Sequence, residues 1–244
     1  MKLLITRDLD SLNISLFRRN EQCLPFTIEY REGKGNVIVA ARDIKPFETI
    51  LIDRPAIVGP FDDTLPECLE CFSEVSVEGY KVIAESYPWC CVVSSHSVQC
   101  SKCGLPLCGP QCEDGPVHAP ECAVLARAEP RVEVTEQDSW HPVYSAVAPL
   151  RLLAVRRQDP ATWAMVDRLM DHLAARRKEP RWDFVREEVV PLIVARCGEQ
   201  VEAALLERII GIFRTNSVKW EARGGEAGRW RPVGHALCPL FSVL

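Results

Sequence analysis

The order of apolar and polar residues in the first part of the chain predicts short strands. Residues 26–58 contain β-branched runs separated by turn-forming stretches at 33–36 and at 45–48. This spacing is typical of strands joined by turns, and a proline presets φ in the second turn. We therefore predict a meander of short strands over 26–58. Residues 1–23 show no clear period and form a lead-in of unknown structure.

The later part of the chain has a helical pattern. One helix is predicted to begin near Pro142, and a second follows Asp159, a favoured N-cap residue, with Pro160 in its first turn. Further helices are predicted at about 182–197, with Gly198 as the C-terminal stop, and at about 201–214. After residue 224 the chain returns to loop and strand character. Steps of three and four residues place the following apolar residues on one face of the second helix: Trp163, Val166, Leu169, Met170 and Leu173.

Composition and charge narrow the functional classes. The chain has 244 residues, 47% apolar and 26% charged, which is ordinary usage for a folded soluble protein. Its net charge of −5 gives no global attraction to nucleic acid. No run approaches the roughly 18 apolar residues of a membrane helix, and the N-terminal apolar patch is too short for a signal peptide. We expect an intracellular protein, in the nucleus and/or cytoplasm, with no direct nucleic-acid partner and no membrane partner.

Cysteine usage points to one segment of the chain. Nine of the twelve cysteines lie between Cys68 and Cys122, and clustered thiols in a reducing compartment indicate metal binding instead of disulfides. A C-x2-C pair aims two thiolates at one ion, and Zn²⁺ takes four such S or N donors. The segment holds four successive pairs with two or three intervening residues. The predicted zinc ligands are Cys68, Cys71, Cys100, Cys103, Cys108, Cys112, His118 and Cys122.

Eight ligands make two zinc sites, which the chain could fill sequentially or in an interleaved order. The short spacer between Cys103 and Cys108 makes it hard for neighbouring pairs to fold back onto one ion, and this favours interleaving. The first and third pairs then hold one zinc, and the second and fourth pairs hold the other. Four protein ligands per ion leave no open position, which argues against catalysis at zinc. The remaining candidates, Cys90, Cys91 and His96, are assigned to an inserted loop.

The ligand order C-x2-C, C-x2-C-x4-C-x3-C, H-x3-C resembles the MYND zinc finger. Before it, GKGNVIVAARDIKPFETIL looks like the opening strands of a split SET domain. After it, PLRLLAVRR and RIIGIFRTNS resemble linking helices and the return into that domain. Residues 24–244 thus resemble the SET and MYND domain family of protein-lysine methyltransferases, above all its arthropod members. The resemblance implies an α+β fold, in which an incomplete SET-type β fold is split by a two-zinc MYND finger and followed by a helical linking region.

The resemblance also implies domain boundaries and a cofactor. After the lead-in come the N-terminal part of the SET domain (24–66), the finger (68–122), the linking region (123–204) and the start of the core SET segment (205–244). The family binds S-adenosylmethionine at a GxG turn and at an asparagine after the linking helices. If the family resemblance is set aside, the GxG turn here is equally typical of an ordinary β-hairpin. The matching residues here are Lys34, Gly35, Asn36 and Asn216.

Three functional hypotheses follow from the resemblance. Because the chain stops before the family's Asn-His-Ser-Cys motif and late tyrosine, the pocket is half built. We therefore expect a truncated, inactive relative of methyltransferases that regulate chromatin and transcription, with no catalytic residue assigned. The alternative is an adaptor or corepressor-type protein whose finger binds a short, proline-containing peptide, with Gln111 and Trp89 as available surface groups. A third hypothesis, an active methyltransferase completed by a partner, predicts binding of S-adenosylmethionine.

Overall fold

The computed structural model describes residues 3–5, 25–33, 35–61, 67–73, 98–127, 142–197, 201–224 and 229–242. Within these ranges the protein is an α+β molecule with small sheets and several helices, which confirms the predicted combination of strands and helices. Some residues singled out in the sequence lie outside the described ranges, namely Lys34, Trp89, Cys90, Cys91, His96 and Gly198.

The first strands do not form the predicted meander. Strands β2 (Phe26–Arg31) and β3 (Gly35–Ala40) form an antiparallel hairpin. However, β4 (Leu51–Asp53) pairs in parallel with β1 (Leu3–Ile5), which belongs to the lead-in. Strand β5 (Ile57–Gly59) lies in a different sheet. The prediction of a meander is wrong beyond its first hairpin. A three-residue strand has too few alternating apolar and polar positions to specify its partner strand.

The largest sheet joins the middle of the chain to its C-terminal part. Strand β9 (Arg229–Leu237) lies between β5 and β8 (Ser217–Gly224) and is antiparallel to both. The return to strand structure is therefore confirmed, although it begins at Ser217. Within the cysteine-rich segment, β6 (Val98–Gln99) and β7 (Pro106–Leu107) form a short antiparallel ladder.

The first helices confirm the predicted starts. Helix α1 (Ala119–Leu125) closes the cysteine-rich segment, and α2 (Pro142–Gln158) begins where the pattern predicts. Helix α3 (Pro160–Val166) has Asp159 as its N-cap, whose Oδ1 accepts a hydrogen bond from Thr162 N at 3.0 Å. That bond satisfies an N–H group that has no partner within the helix.

The prediction of a single apolar helix face from Trp163 to Leu173 is wrong. Helix α3 ends at Val166, and the separate helix α4 (Leu173–Arg176) follows a loop in which His172 has a φ of 52°. Asp171 Oδ1 accepts a hydrogen bond from Leu173 N at 2.9 Å. Such a local bond competes with continuation of the helix. Met170 lies in this loop and is 63% exposed. The three-and-four spacing of apolar residues thus continues in the sequence across a break in the helix.

The remaining helices agree with the predicted ranges to within a few residues. Helix α5 (Arg181–Phe184), a π-helical segment (Val185–Val189) and α6 (Val190–Cys197) follow one another without interruption. Helix α7 (Ala203–Asn216) leads directly into β8, and α8 (Pro239–Ser242) ends the described chain. Among the described residues, no helix combines the length and apolar character needed to cross a bilayer.

One apolar core joins the cysteine-rich segment to the helices and to the largest sheet. The cysteine-rich segment is thus packed onto the rest of the fold, and each fully buried leucine or isoleucine contributes about 1.5–3 kcal/mol. Its packing partners include side chains of α2, α7 and β9. Core residues from the four regions are Leu69, Leu105, Leu107, Leu125, Leu150, Leu152, Ile209, Ile212 and Leu237.

Candidate metal centres

Two groups of cysteine and histidine side chains come together in the cysteine-rich segment. In each group all four ligand atoms lie within 4.8 Å of one another. The grouping along the chain is the interleaved one that the spacing favours. The first group, the all-cysteine site, consists of Cys68, Cys71, Cys108 and Cys112. The second group, the histidine-containing site, consists of Cys100, Cys103, His118 and Cys122.

Distances in the all-cysteine site fit four donors around one zinc ion. Cys108 Sγ lies 3.4 Å from Cys71 Sγ and 3.5 Å from Cys112 Sγ. Four sulfurs at the usual Zn–S bond length on a tetrahedron would lie about 3.8 Å apart. None of the ligand cysteines, all of which are among the described residues, forms a disulfide.

Distances in the histidine-containing site fit the same geometry. Cys100 Sγ lies 3.7 Å from Cys122 Sγ, and Cys103 Sγ lies 3.6 Å from His118 Nε2. On a zinc tetrahedron an S–N pair would be separated by about 3.6 Å. The two groups, with their donor types and spacing, therefore suggest zinc binding.

The two C-x2-C turns share one backbone geometry. Phe72 N donates to Cys68 O at 2.8 Å, and Gly104 N donates to Cys100 O at 2.9 Å. The residue after the second cysteine has positive φ in both turns, 60° at Phe72 and 83° at Gly104. Glycine adopts this conformation at little cost. Phe72 adopts it with its ring packed edge-on against Trp220, at a centroid distance of 5.1 Å.

Glu70 links the all-cysteine site to a ligand of the histidine-containing site. It lies within the first C-x2-C turn, and its Oε2 accepts hydrogen bonds from the backbone N–H groups of Val117, at 2.9 Å, and His118, at 2.8 Å. A Cβ on Gly115 would overlap the carboxylate of Glu70, so glycine leaves the room that this group occupies. The contact holds the two sites in a defined relative position.

His118 is oriented by a buried carboxylate. Its Nδ1 lies 3.1 Å from Glu121 Oε1, and both side chains are completely buried. When Nδ1–H donates to Glu121, Nε2 keeps the lone pair that a metal ion needs. Burial lowers the pKa of His118, but the hydrogen bond to Glu121 and its negative charge outweigh burial and raise this pKa. Glu121 in turn accepts hydrogen bonds from Arg151, with Nε to Oε2 at 2.9 Å and a second bond from Nη2 to Oε1.

The ligand thiols differ in acidity. Burial opposes ionisation of Cys71, but hydrogen bonds with Ser73 and Cys108 outweigh it and lower the pKa of Cys71 to about 7. Burial raises the pKa of Cys108 to about 11 and that of Cys122 to about 11. Burial also raises the pKa of Cys103. Zinc binds the thiolate form, so a bound ion has to displace these protons.

Three polar residues of the metal centres were missed in the sequence. Glu121 precedes the ligand Cys122 and follows His118 by three residues, a spacing that puts side chains on the same side of a helix. Arg151 is a single charge inside the apolar stretch VAPLRLLAV. Both signals are readable in retrospect. Glu70 lies between the two ligands of a C-x2-C pair, and no sequence pattern marks it as a contact between the sites.

Three residues matched to the family's cofactor site, Gly35, Asn36 and Asn216, make contacts within the fold. The backbone at Gly35 and Asn36 pairs with Arg31 and Tyr30 in the β2–β3 hairpin. Asn216 Nδ2 donates to the carbonyl oxygens of Met170 and Ile212, each at 2.8 Å. The amide nitrogen of Asn216 thus holds the end of α7 against the loop after α3. A shared cofactor pocket of Asn36 and Asn216 stays a prediction.

No protein-family model matches this chain, and no curated protein matches it at a significant level.

Proposed function

We propose that this chain is an intracellular, zinc-dependent interaction protein of the SET and MYND type. In this proposal two structural zinc ions fold the cysteine-rich segment, which then binds a short, proline-containing peptide of a partner protein, as in a corepressor-type adaptor. The interleaved pair of four-donor groups carries the proposal. Each ion would have four protein ligands and no open position, so zinc would support folding and not catalysis.

Gln111 is the described surface group best suited to contact such a peptide. It lies in the 3₁₀ turn Pro110–Cys112, next to a ligand of the all-cysteine site, and is exposed. A Cβ on Gly109 would lie 2.5 Å from Gln111 Oε1, so the side chain lies close over the backbone of the turn. This exposed amide can donate to and accept from the backbone of an extended peptide.

A relationship to protein-lysine methyltransferases is part of the proposal. The order of the eight ligands and the flanking segments GKGNVIVAARDIKPFETIL and RIIGIFRTNS support it. Asn36 and Asn216 are the residues through which S-adenosylmethionine binding would be tested. The peptide-binding role does not depend on that cofactor.

The first test measures metal content and peptide binding together. We expect two zinc ions per chain by elemental analysis. We expect zinc-loaded protein to bind members of an array of proline-containing peptides, and to lose binding when the prolines are replaced by alanine. Gln111→Ala should weaken binding with both zinc ions retained, whereas the exposed Gln158→Ala on α2 is the matched control. A zinc-loaded chain that binds no peptide of the array would contradict the adaptor role.

Calorimetric titration of S-adenosylmethionine tests whether this chain has the cofactor site of a methyltransferase. Saturable binding that is lost in both Asn36→Ala and Asn216→Ala would support a methyltransferase site. Absence of binding to the zinc-loaded chain, with peptide binding intact, would leave the interaction role as the function of this chain.

A further inference from the structure

Arg151 is a cation buried in the middle of α2, with its side chain only 3% exposed. Besides its two bonds to Glu121, its Nη1 donates to Val58 O and its Nη2 donates to Leu69 O, both at 2.6 Å. Leu69 lies in the C-x2-C turn of the all-cysteine site, and Val58 lies in β5. One guanidinium therefore contacts a metal-centre carboxylate, a zinc-binding turn and the largest sheet.

The same face of α2 makes two further contacts with these elements. Tyr144, Ala148 and Arg151 are spaced by four and three residues, so they share one side of the helix. Tyr144 Oη accepts a hydrogen bond from Glu67 N at 3.3 Å, just before the first zinc-binding turn. A Cβ on Gly59 would lie 2.9 Å from Ala148 Cβ, so β5 packs closely on α2. This face of the helix is the place where the cysteine-rich segment and the sheet meet.

From this geometry we propose that Glu121 and Arg151 are positioning residues that couple the histidine-containing site to the docking of α2 and β5. A metal ion at Nε2 of His118 favours the tautomer in which Nδ1–H donates to Glu121. Glu121 then holds the guanidinium in the orientation that reaches Val58 O and Leu69 O. The inference rests on zinc binding in the proposed function and adds that metal at one site organises contacts outside the cysteine-rich segment.

The chemistry of the two side chains supports the coupling. Arginine presents donors in a planar fork, so it can bind both carboxylate oxygens and two carbonyls at once, whereas lysine carries a point charge with fewer donors. A buried carboxylate that loses its cation is strongly destabilised, and so is a buried cation that loses its carboxylate. Loss of the orienting carboxylate behind a metal-bound histidine typically weakens metal binding by about 10- to 100-fold.

The first experiment measures metal affinity at each site separately. Cadmium NMR of the substituted protein distinguishes four-sulfur from three-sulfur, one-nitrogen coordination, so a competing chelator can be followed at both sites. We expect Glu121→Gln and Arg151→Lys to weaken the histidine-containing site by about 10- to 100-fold and to leave the all-cysteine site within about twofold of wild type. Asp114→Asn is the control, since it removes an exposed carboxylate paired with Lys102 beside the same ligands. An unchanged histidine-containing site in both variants would overturn the proposal.

A double variant separates positioning from packing. Replacing a buried ion pair by apolar residues is often tolerated, so Glu121→Leu with Arg151→Met should fold cooperatively. Its melting temperature should fall somewhat, because Val58 O and Leu69 O lose their donor. We expect its histidine-containing site to stay weak, because no carboxylate orients His118. Recovery of wild-type affinity in this double variant would show that only packing matters and would overturn the proposal.

Hydrogen exchange tests whether the loss of metal at the histidine-containing site affects α2 and β5. We call the chain of contacts from His118 through Glu121 to Arg151 the relay. In the wild-type background, His118→Gln should accelerate amide exchange in α2 and β5, because the relay then loses its metal-binding histidine. In the double variant, adding His118→Gln should leave exchange in these elements unchanged. Equal acceleration in both backgrounds would overturn the relay. If the wild-type chain binds no zinc, the proposed function itself fails, whereas two bound zinc ions with no effect of the variants would defeat the relay alone.

Discussion

The two metal centres have the same turn geometry and different surroundings. In the all-cysteine site, Cys71 and Cys108 are partly exposed, and a serine hydroxyl lies beside the ligands. In the histidine-containing site all four ligands are buried, and a buried carboxylate and a buried arginine lie behind the histidine. Similar ligand spacing thus brings four donors together in both sites, while we expect exposure and neighbouring side chains to determine how firmly each site would hold an ion.

This contrast predicts separate tasks for the two ions. The histidine-containing site lies against the common core, and its loss would disturb packing far from the ligands. The all-cysteine site faces solvent on one side, so chelators and electrophiles reach it directly. We therefore expect the zinc of the histidine-containing site to be the structural anchor of the chain and the zinc of the all-cysteine site to be the exchangeable one.

The greatest loss of stability is expected from removing a ligand at the buried site. Cys103→Ser should unfold the cysteine-rich segment, because structural zinc contributes on the order of 10 kcal/mol to folding. Cys71→Ser, the matched change at the partly exposed site, should lose one zinc ion and keep the other with a cooperative thermal transition. Zinc content and thermal unfolding of the two variants measure this. Equal loss in both variants would remove the distinction between the sites.

A smaller loss is expected at the contact that joins the sites. Glu70→Ala leaves the N–H groups of Val117 and His118 without their acceptor, which should cost about 1–3 kcal/mol in chemical denaturation. Gly115→Ala should have a similar effect, since its methyl group would displace the same carboxylate. The double variant should be no worse than either single variant, because both remove one interaction. Additive losses would mean that Gly115 has a different role.

Thiol labelling compares the two sites after partial removal of zinc by a chelator. Iodoacetamide should label Cys71 before Cys103, because the thiolate reacts and Cys71 combines exposure with a pKa of about 7. A thiol is protonated below its pKa, so labelling of Cys71 should slow by about tenfold as the pH falls from about 8 to about 6. Peptide mass mapping of the labelled protein identifies the order. Earlier labelling of Cys103 or Cys122 would reverse the assignment of the exchangeable site.

The weakest response is expected on the surface beside the ligands. Lys102→Ala removes an exposed ion pair with Asp114, in which Nζ and Oδ1 are 2.5 Å apart. Exposed pairs contribute little because water screens both charges. We expect no measurable change in zinc content or melting temperature. A loss of zinc in this variant would show that charge near the ligands, and not their burial, controls the histidine-containing site.

Features that depend on nearby residues could be predicted from the sequence. Pairs of ligands with two or three intervening residues identify both candidate metal centres, because a short turn brings such side chains together whatever the rest of the chain does. The β2–β3 hairpin, the N-cap at Asp159 and the start of α2 are local in the same sense. Interleaving was also favoured from spacing, since the gap between Cys103 and Cys108 is short.

Features that depend on distant residues became visible only in the folded chain. The parallel pairing of β1 with β4, the place of β5 beside β9 and the break after Val166 were not predicted. The buried contacts of Arg151 with Val58 and Leu69 join residues 93 and 82 positions apart. A short strand or a single charge has many potential partners along the chain. Packing of the whole core selects among them, because a buried polar group is stable only where its donors find acceptors.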